Sequence, residues 1–73
     1  MAKSGLVMMN NPRPGETWVS RSGEKFTIFD IRSEGEEHPM MALDDKKRFV
    51  QFTRNGRYVN DKFEHKLDLI KKL

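Results

Sequence analysis

The chain has 73 residues, no cysteine and a formal net charge of +3, from 14 basic and 11 acidic side chains. A chain of this length forms one domain with a small interior, which leaves little room for a deep substrate pocket. The absence of cysteine excludes disulfides, thiolate metal sites and cysteine nucleophiles, and a reducing cytoplasm is the expected compartment.

The longest apolar runs in the chain have four residues each, Leu6-Val7-Met8-Met9 and Met40-Met41-Ala42-Leu43. A membrane-spanning helix needs about 20 apolar residues, and a secretory signal needs an apolar region of about 7–15 residues. We therefore expect an intracellular protein without membrane association.

Residues 1–13 are predicted to form a flexible N-terminal arm, and residues 14–73 a single small β domain. Pro12 and Pro14 each fix their own φ and disfavour helix in the residue before them. Methionine side chains suit adaptable contact surfaces, and a short apolar segment can dock on a partner by adding a strand or filling a groove. An equally weighted alternative is that 6–9 folds back onto the sheet. The candidate partner-binding residues of the arm are Lys3, Leu6, Val7, Met8, Met9 and Arg13.

Strand-forming residues alternate with turn signals through the domain, which predicts a mainly β fold. The predicted strands are residues 16–21, 25–32, 40–43 and 48–53. Four or five short strands with tight turns favour a small, strongly bent antiparallel sheet, shaped as an SH3-like partly open barrel.

The turns predict a register. A two-residue turn at 22–23 pairs Arg21 with Glu24 and Val19 with Phe26, an opposite-charge pair beside an apolar pair.

The Asn-Gly dipeptide at 55–56 predicts a type I′ hairpin, since both central residues of that turn need positive φ. This hairpin pairs Phe52 with Val59 and Thr53 with Tyr58.

The second strand has apolar residues on both faces. Phe26 and Ile28 lie on one face, and Phe29 and Ile31 on the other. The strand is therefore either covered on both sides or bulged near Ile28.

The C-terminal segment has two interpretations. Asp61 can cap a helix, with Glu64 three residues later completing a capping box. Leu67-Asp68-Leu69, by contrast, alternates as a strand does. The helix is the slightly favoured prediction.

Enzyme chemistry is not expected. The two histidines, His38 and His65, lie far apart in the chain, and no nucleophile elbow, zinc-protease pair or glycine-rich phosphate loop occurs. Glu34, Glu36, Glu37 and His38 could gather a divalent cation, but they lack the ordered spacing of a cation site, and adjacent carboxylates on a loop more often stay solvated. We expect no cofactor and no metal.

Nucleic-acid binding is a second hypothesis. It uses a cluster of cations, with three aromatic residues (Phe49, Phe52 and Tyr58) between them, because exposed rings stack bases and cations neutralise phosphates. The favoured alternative is that these rings fill the core and the cations keep a sheet edge soluble. The cations are Lys46, Lys47, Arg48, Arg54 and Arg57.

The chain resembles small phage-encoded proteins over roughly residues 14–70. The resemblance is carried by turn and core motifs: Pro14-Gly15-Glu16-Thr17-Trp18, Gly23-Glu24-Lys25-Phe26-Thr27-Ile28, Asn55-Gly56-Arg57-Tyr58 and Glu64-His65-Lys66-Leu67-Asp68-Leu69-Ile70. In its length, its excess of basic residues and its N-terminal segment, the chain resembles a phage transcription regulator. Such a regulator binds host bacterial RNA polymerase, inhibits initiation by displacing the sigma factor and promotes terminator readthrough.

This resemblance implies contact with the large polymerase subunits in the host bacterial cytoplasm, with the N-terminal segment near them. The main expectation is therefore a monomeric, non-enzymatic regulator of transcription. The alternatives are a direct DNA- or RNA-binding module and a small structural protein of a phage particle.

Overall fold

The computed structural model describes residues 11–32 and 35–73. Within these ranges the chain forms five strands and no helix, so no helix that could cross a bilayer occurs in them. The strands are β1 (Thr17–Ser20), β2 (Lys25–Ile31), β3 (Met40–Asp44), β4 (Phe49–Phe52) and β5 (Leu69–Lys72).

The strands form one antiparallel sheet in the order β4-β3-β2-β1-β5. This confirms the mainly β prediction and the expected number of strands. The strongly bent, barrel-like shape was wrong, because the edge strands β4 and β5 do not contact each other and the sheet stays open.

The favoured C-terminal helix was also wrong. Leu69 pairs with Ser20 of β1 and is fully buried, so β5 gains both a ladder and an apolar contact that a solvent-facing helix would lack. The strand alternative for this segment is the one the structure adopts.

The β1–β2 hairpin differs from the predicted register by one residue. Trp18, rather than Val19, pairs with Phe26, and Val19 pairs with Lys25. The loop contains three residues, closed by a hydrogen bond from the Ser20 N–H to the Glu24 carbonyl (2.8 Å). Because side chains alternate between faces, this shift places Trp18 and Phe26 together in the core.

A bulge in β2 explains its two-sided apolar pattern. The register with β3 shifts between Ile28 and Asp30, so that Phe29 and Asp30 both lie opposite Met41. Past the bulge, Ile31 returns to the core side and packs against it. Of the two alternatives, the bulge near Ile28 is confirmed.

Three turns share one hydrogen-bond pattern. In each, the first residue's N–H donates to the carbonyl of the residue four positions later, and its side-chain oxygen accepts that residue's N–H. The fourth residue has positive φ, as in a type I turn followed by a bulge residue. The turns are Ser20–Glu24, Asp44–Arg48 and Thr53–Arg57, with Gly23, Lys47 and Gly56 at the positive-φ position.

The type I′ hairpin predicted at Asn-Gly was therefore wrong. Gly56 has φ +84°, but Asn55 does not have positive φ, and Thr53 closes on Arg57 instead of Tyr58. The Thr53 hydroxyl accepts the Arg57 N–H at 3.1 Å, which stabilises the longer loop. No strand follows in residues 57–60, so Val59 does not pair with Phe52.

The core lies on one side of the sheet, called here the inner face. Phe26 and Phe52 meet there edge to face at 5.2 Å between ring centroids, and Phe52 contacts Tyr58 in the segment that crosses this side. Pro12 is also fully buried. The buried apolar residues of the core are Trp18, Phe26, Ile28, Met40, Ala42, Phe52 and Leu69.

Candidate functional site

The segment between β4 and β5 is organised by the buried carboxylate of Asp68, whose side chain is 1% exposed. Its two oxygens accept the backbone N–H groups of Tyr58 (2.8 Å) and His65 (2.9 Å), which are the two ends of the loop 58–65. Arg21 Nε and Arg57 Nη1 each lie 3.5 Å from the same carboxylate. One side chain thus closes the loop and is neutralised by two cations.

Both histidines also hold this loop. The His38 ring nitrogen Nε2 donates toward the carbonyls of Tyr58 (2.9 Å) and Val59 (2.8 Å), and the His65 nitrogen Nδ1 accepts the Leu67 N–H at 3.1 Å. The Tyr58 and His65 rings stack with centroids 4.6 Å apart. The structure therefore places the two histidines in positions that fix the backbone.

The tip of the loop is tied back to the turn Thr53–Arg57. Asp61 accepts hydrogen bonds from the Thr53 hydroxyl and the Asn55 amide, both at 3.0 Å. Asn60 Oδ1 accepts the N–H groups of Lys62 and Phe63, which closes an Asx turn. The conformation of this loop is therefore held mainly by side-chain hydrogen bonds and not by the hydrogen bonds between strands.

The ordered loop exposes two apolar side chains, Val59 and Phe63, which we call the loop patch. The Phe63 side chain is 62% exposed, the largest exposed fraction among the aromatic residues described, although its backbone is held by Asn60. An exposed ring on a fixed backbone is a typical anchor for a protein partner. The neighbouring chain carries the cations Arg54, Lys62 and Lys66 together with the carboxylates Asp61 and Glu64.

The opposite side of the sheet, called here the outer face, carries a second exposed aromatic group. Phe29 is 46% exposed and Phe49 is 53% exposed, and their rings contact each other with centroids 6.1 Å apart. Phe49 pairs with Leu43, and Phe29 lies at the bulge opposite Met41. The two rings therefore meet above β3.

The register fixes which polar residues share the outer face. Lys25 and Lys71 both pair with Val19, one from each side, which makes a Lys-Val-Lys row across three strands. In the next row Thr17 pairs with Thr27, with their hydroxyl oxygens 3.2 Å apart. The outer face thus has a basic row next to a row that contains both threonines and Phe49, and Phe29 lies beyond Thr27 along β2.

The prediction that the aromatic residues fill the core is only partly correct. Phe52 is buried, but Phe49 and Tyr58 are exposed, as are Phe29 and Phe63 outside the predicted cluster. The interior of a single open sheet is too small for all seven rings.

The predicted cation cluster divides into paired and unpaired side chains. Arg48 Nε donates to Asp44 at 2.7 Å, and Arg57 lies beside Asp68. The side chains of Lys46, Lys47 and Arg54 make no ion pair with the residues that the structure describes. The five predicted cations therefore do not form one uniform patch.

The predicted partner-binding residues Lys3, Leu6, Val7, Met8 and Met9 lie outside the described residues. Arg13 is described and is exposed. Its backbone N–H donates to Glu16 Oε1 at 3.0 Å, and its carbonyl accepts the Glu16 N–H.

Among the carboxylates that the structure describes, Glu16 and Asp44 have lowered pKa values. The Trp18 indole N–H donates to Glu16 at 2.9 Å and is the main cause of its lowered pKa, aided by the Arg13 N–H and the charges of Lys72 and Arg13. The backbone N–H of Arg48 is the main cause of the lowered pKa of Asp44, followed by the Arg48 side chain and the Lys46 N–H. Both groups support turns.

A shallow depression of about 110 Å³ lies beside the turn Asp44–Arg48. Its lining residues are Glu24, Lys25, Asp44, Asp45, Lys46 and Arg48. Small-molecule pockets usually measure about 300–1,000 Å³. In the described part of the chain, no group of three or more histidine or acidic residues is arranged to hold a metal ion.

The sequence alone did not reveal that Asp68 holds both ends of the loop 58–65, or that the Phe29 ring is exposed. The partners of Asp68 come from distant segments, Arg21 being 47 residues away. For Phe29 a signal did exist, because the bulge alternative places this residue on the outer face.

No family model, no curated protein and no solved structure matches this chain.

Proposed function

We propose that the chain is a non-enzymatic regulatory protein that binds bacterial RNA polymerase of the host and thereby inhibits initiation or promotes terminator readthrough. The resemblance to phage transcription regulators suggests the partner. The observation that carries the proposal is the loop patch, where Phe63 is 62% exposed on a loop held at both ends by Asp68.

A fixed loop is a favourable binding element because its ordering cost has been met in folding. Immobilising a flexible side chain on binding costs about 0.5–1.5 kcal/mol, and a mobile backbone costs more. The contacts of Asp68, His38 and Asp61 remove most of this cost for the loop 58–65. Phe63 can then act as an anchor in an apolar pocket of the partner.

One loop is smaller than the roughly 800 Å² that each partner gives to a standard interface. The N-terminal residues Leu6–Met9, with Lys3 and Arg13, supply a second contact in this proposal. Two linked contacts raise the overall affinity above that of either one. The basic residues near the loop steer the protein toward acidic surfaces of the polymerase.

The test is an equilibrium binding measurement between the full chain and purified bacterial RNA polymerase. We expect Phe63→Ser to weaken binding by about 10–100-fold, as for a central anchor residue. Phe49→Ser is the matched control, because Phe49 has a similar exposed fraction but lies on the outer face. Absence of binding by the unaltered chain, or equal losses in both variants, would rule the proposal out.

A further inference from the structure

The outer face presents aromatic and basic side chains together. Phe29 and Phe49 expose about half of their surface above β3, and a Lys-Val-Lys row formed by Lys25, Val19 and Lys71 lies beside them. None of these residues takes part in the contacts that hold the loop 58–65.

We infer that the outer face binds single-stranded nucleic acid, with bases stacked on Phe29 and Phe49 and phosphates near Lys25 and Lys71. Stacking on exposed rings needs unpaired bases, and cations that track the backbone complete the binding groove of such proteins. In a duplex the faces of the bases are covered by their stacked neighbours, and the groove edges are read by hydrogen bonds and methyl contacts, not by stacking on rings. The single-stranded form is therefore the one that this surface fits.

The spacing along the strands suits this arrangement. Lys25 and Thr27 occupy alternate positions of β2, so their Cα atoms are about 6.6–6.8 Å apart, and Phe29 follows on the same face at the bulge. Thr27 lies between Lys25 and Phe29 along β2, and its hydroxyl and that of Thr17 can contact sugar or phosphate oxygens.

The charges of this face also favour an anion. The exposed cations Lys25 and Lys71 outnumber Asp30, a carboxylate on this face that keeps its charge while accepting the Ile31 N–H at 2.8 Å. A protein partner with a purely apolar surface would leave these cations without a counter-charge.

The probe is a fluorescein-labelled thymidine oligonucleotide of about 15 nucleotides, long enough to span one small sheet, with a duplex of equal length as comparison. Anisotropy is measured with the full chain between about 50 and 200 mM salt. We expect saturable binding of the single strand, weaker binding of the duplex and an affinity that falls with salt.

Phe29→Ser and Phe49→Ser should each weaken binding by about 5–150-fold, the loss of one stacked base. Lys25→Gln and Lys71→Gln should each reduce the slope of log affinity against log salt by about 0.7. Phe63→Ser and Lys62→Gln are the controls, since both residues belong to the loop 58–65, and they should leave binding unchanged.

Ring proton shifts of the unaltered chain provide a readout that does not depend on folding of the variants. Added oligonucleotide should move the Phe29 and Phe49 signals and leave those of Phe63 in place. The inference is overturned by a lack of binding at about 100 μM protein in low salt, by equal binding of the duplex, or by an effect of Phe63→Ser as large as that of Phe29→Ser. Each result is independent of polymerase binding.

Discussion

One oxygen of the Asp68 carboxylate accepts the backbone N–H of Tyr58 at 2.8 Å, ten residues earlier in the chain. The second oxygen accepts the N–H of His65 at 2.9 Å, so a single buried side chain joins the start and the end of the loop that presents Phe63. The shape of the loop patch therefore depends on one residue that is itself not accessible to a partner.

Replacing Asp68 should destabilise the fold strongly. Asp68→Asn removes the charge and one acceptor, so that a buried N–H and two arginines lose their partner, at a cost of about 2–4 kcal/mol. Urea unfolding of the variant and of the unaltered chain measures the difference in the free energy of unfolding. Glu64→Gln is the control, because Glu64 is largely exposed and only meets Arg21 at 3.8 Å; it should change stability by less than about 0.5 kcal/mol. Equal effects of both changes would refute the central role of Asp68.

Lys47→Gly should stabilise the protein by about 0.5–1 kcal/mol. Lys47 has φ +66° in a turn where the two equivalent positions are occupied by Gly23 and Gly56. A residue with a Cβ is strained in this region and glycine is not. The shift of the urea midpoint is the measurement. Lys46→Gly, one position earlier and without positive φ, should bring no gain; a gain of equal size there would show that the effect is not conformational.

Gly56→Ala should destabilise the protein by about 2 kcal/mol or more, and Gly23→Ala by about 1 kcal/mol. Both glycines have positive φ, but a Cβ on Gly56 would come within 3.2 Å of Pro12 Cγ and 3.3 Å of Leu69 Cβ, whereas one on Gly23 would meet nothing within 4 Å. Both variants carry the backbone strain of a Cβ at positive φ, and only Gly56→Ala adds a steric clash. The difference between their melting temperatures therefore measures the clash. Similar melting temperatures would mean that the Pro12 contact does not constrain the turn.

Stability should fall as the pH drops below about 4. The pKa values of Glu16 and Asp44 are lowered in the folded state, so at acidic pH the unfolded chain binds more protons and is stabilised relative to the folded one. This contribution is complete above the unfolded pKa and is lost as the pH falls through the folded pKa. Urea unfolding between neutral pH and pH 3 measures it. Glu16→Gln with Asp44→Asn should flatten the profile; an unchanged profile would contradict the assignment.

The sequence predicted the strands better than the connections between them. Period-two patterns identified β1 to β4 within a residue or two, because burial of one face selects those residues. The loop lengths were not predictable in this way, since Ser20, Asp44 and Thr53 favour three-residue loops through side-chain hydrogen bonds to residues four positions later. Each extra loop residue moves the register by one and changes which side chains meet.

The candidate site was predicted less well than the fold. The proposed cation cluster was chosen by proximity in sequence, but Arg48 and Arg57 have structural partners. Exposure of Phe29 and Phe63 depends on the bulge and on the Asx turn of Asn60, which local propensity does not specify. Which side chains are exposed on such irregular backbone can be predicted only after the strand register is known.

The most direct measurement of the central claim is transcription by purified bacterial RNA polymerase on a template that carries a promoter and a terminator. We predict that the unaltered chain lowers the number of initiated transcripts or raises terminator readthrough, and that Phe63→Ser loses most of this effect. Unchanged initiation and unchanged readthrough at saturating amounts of the unaltered chain would contradict the account.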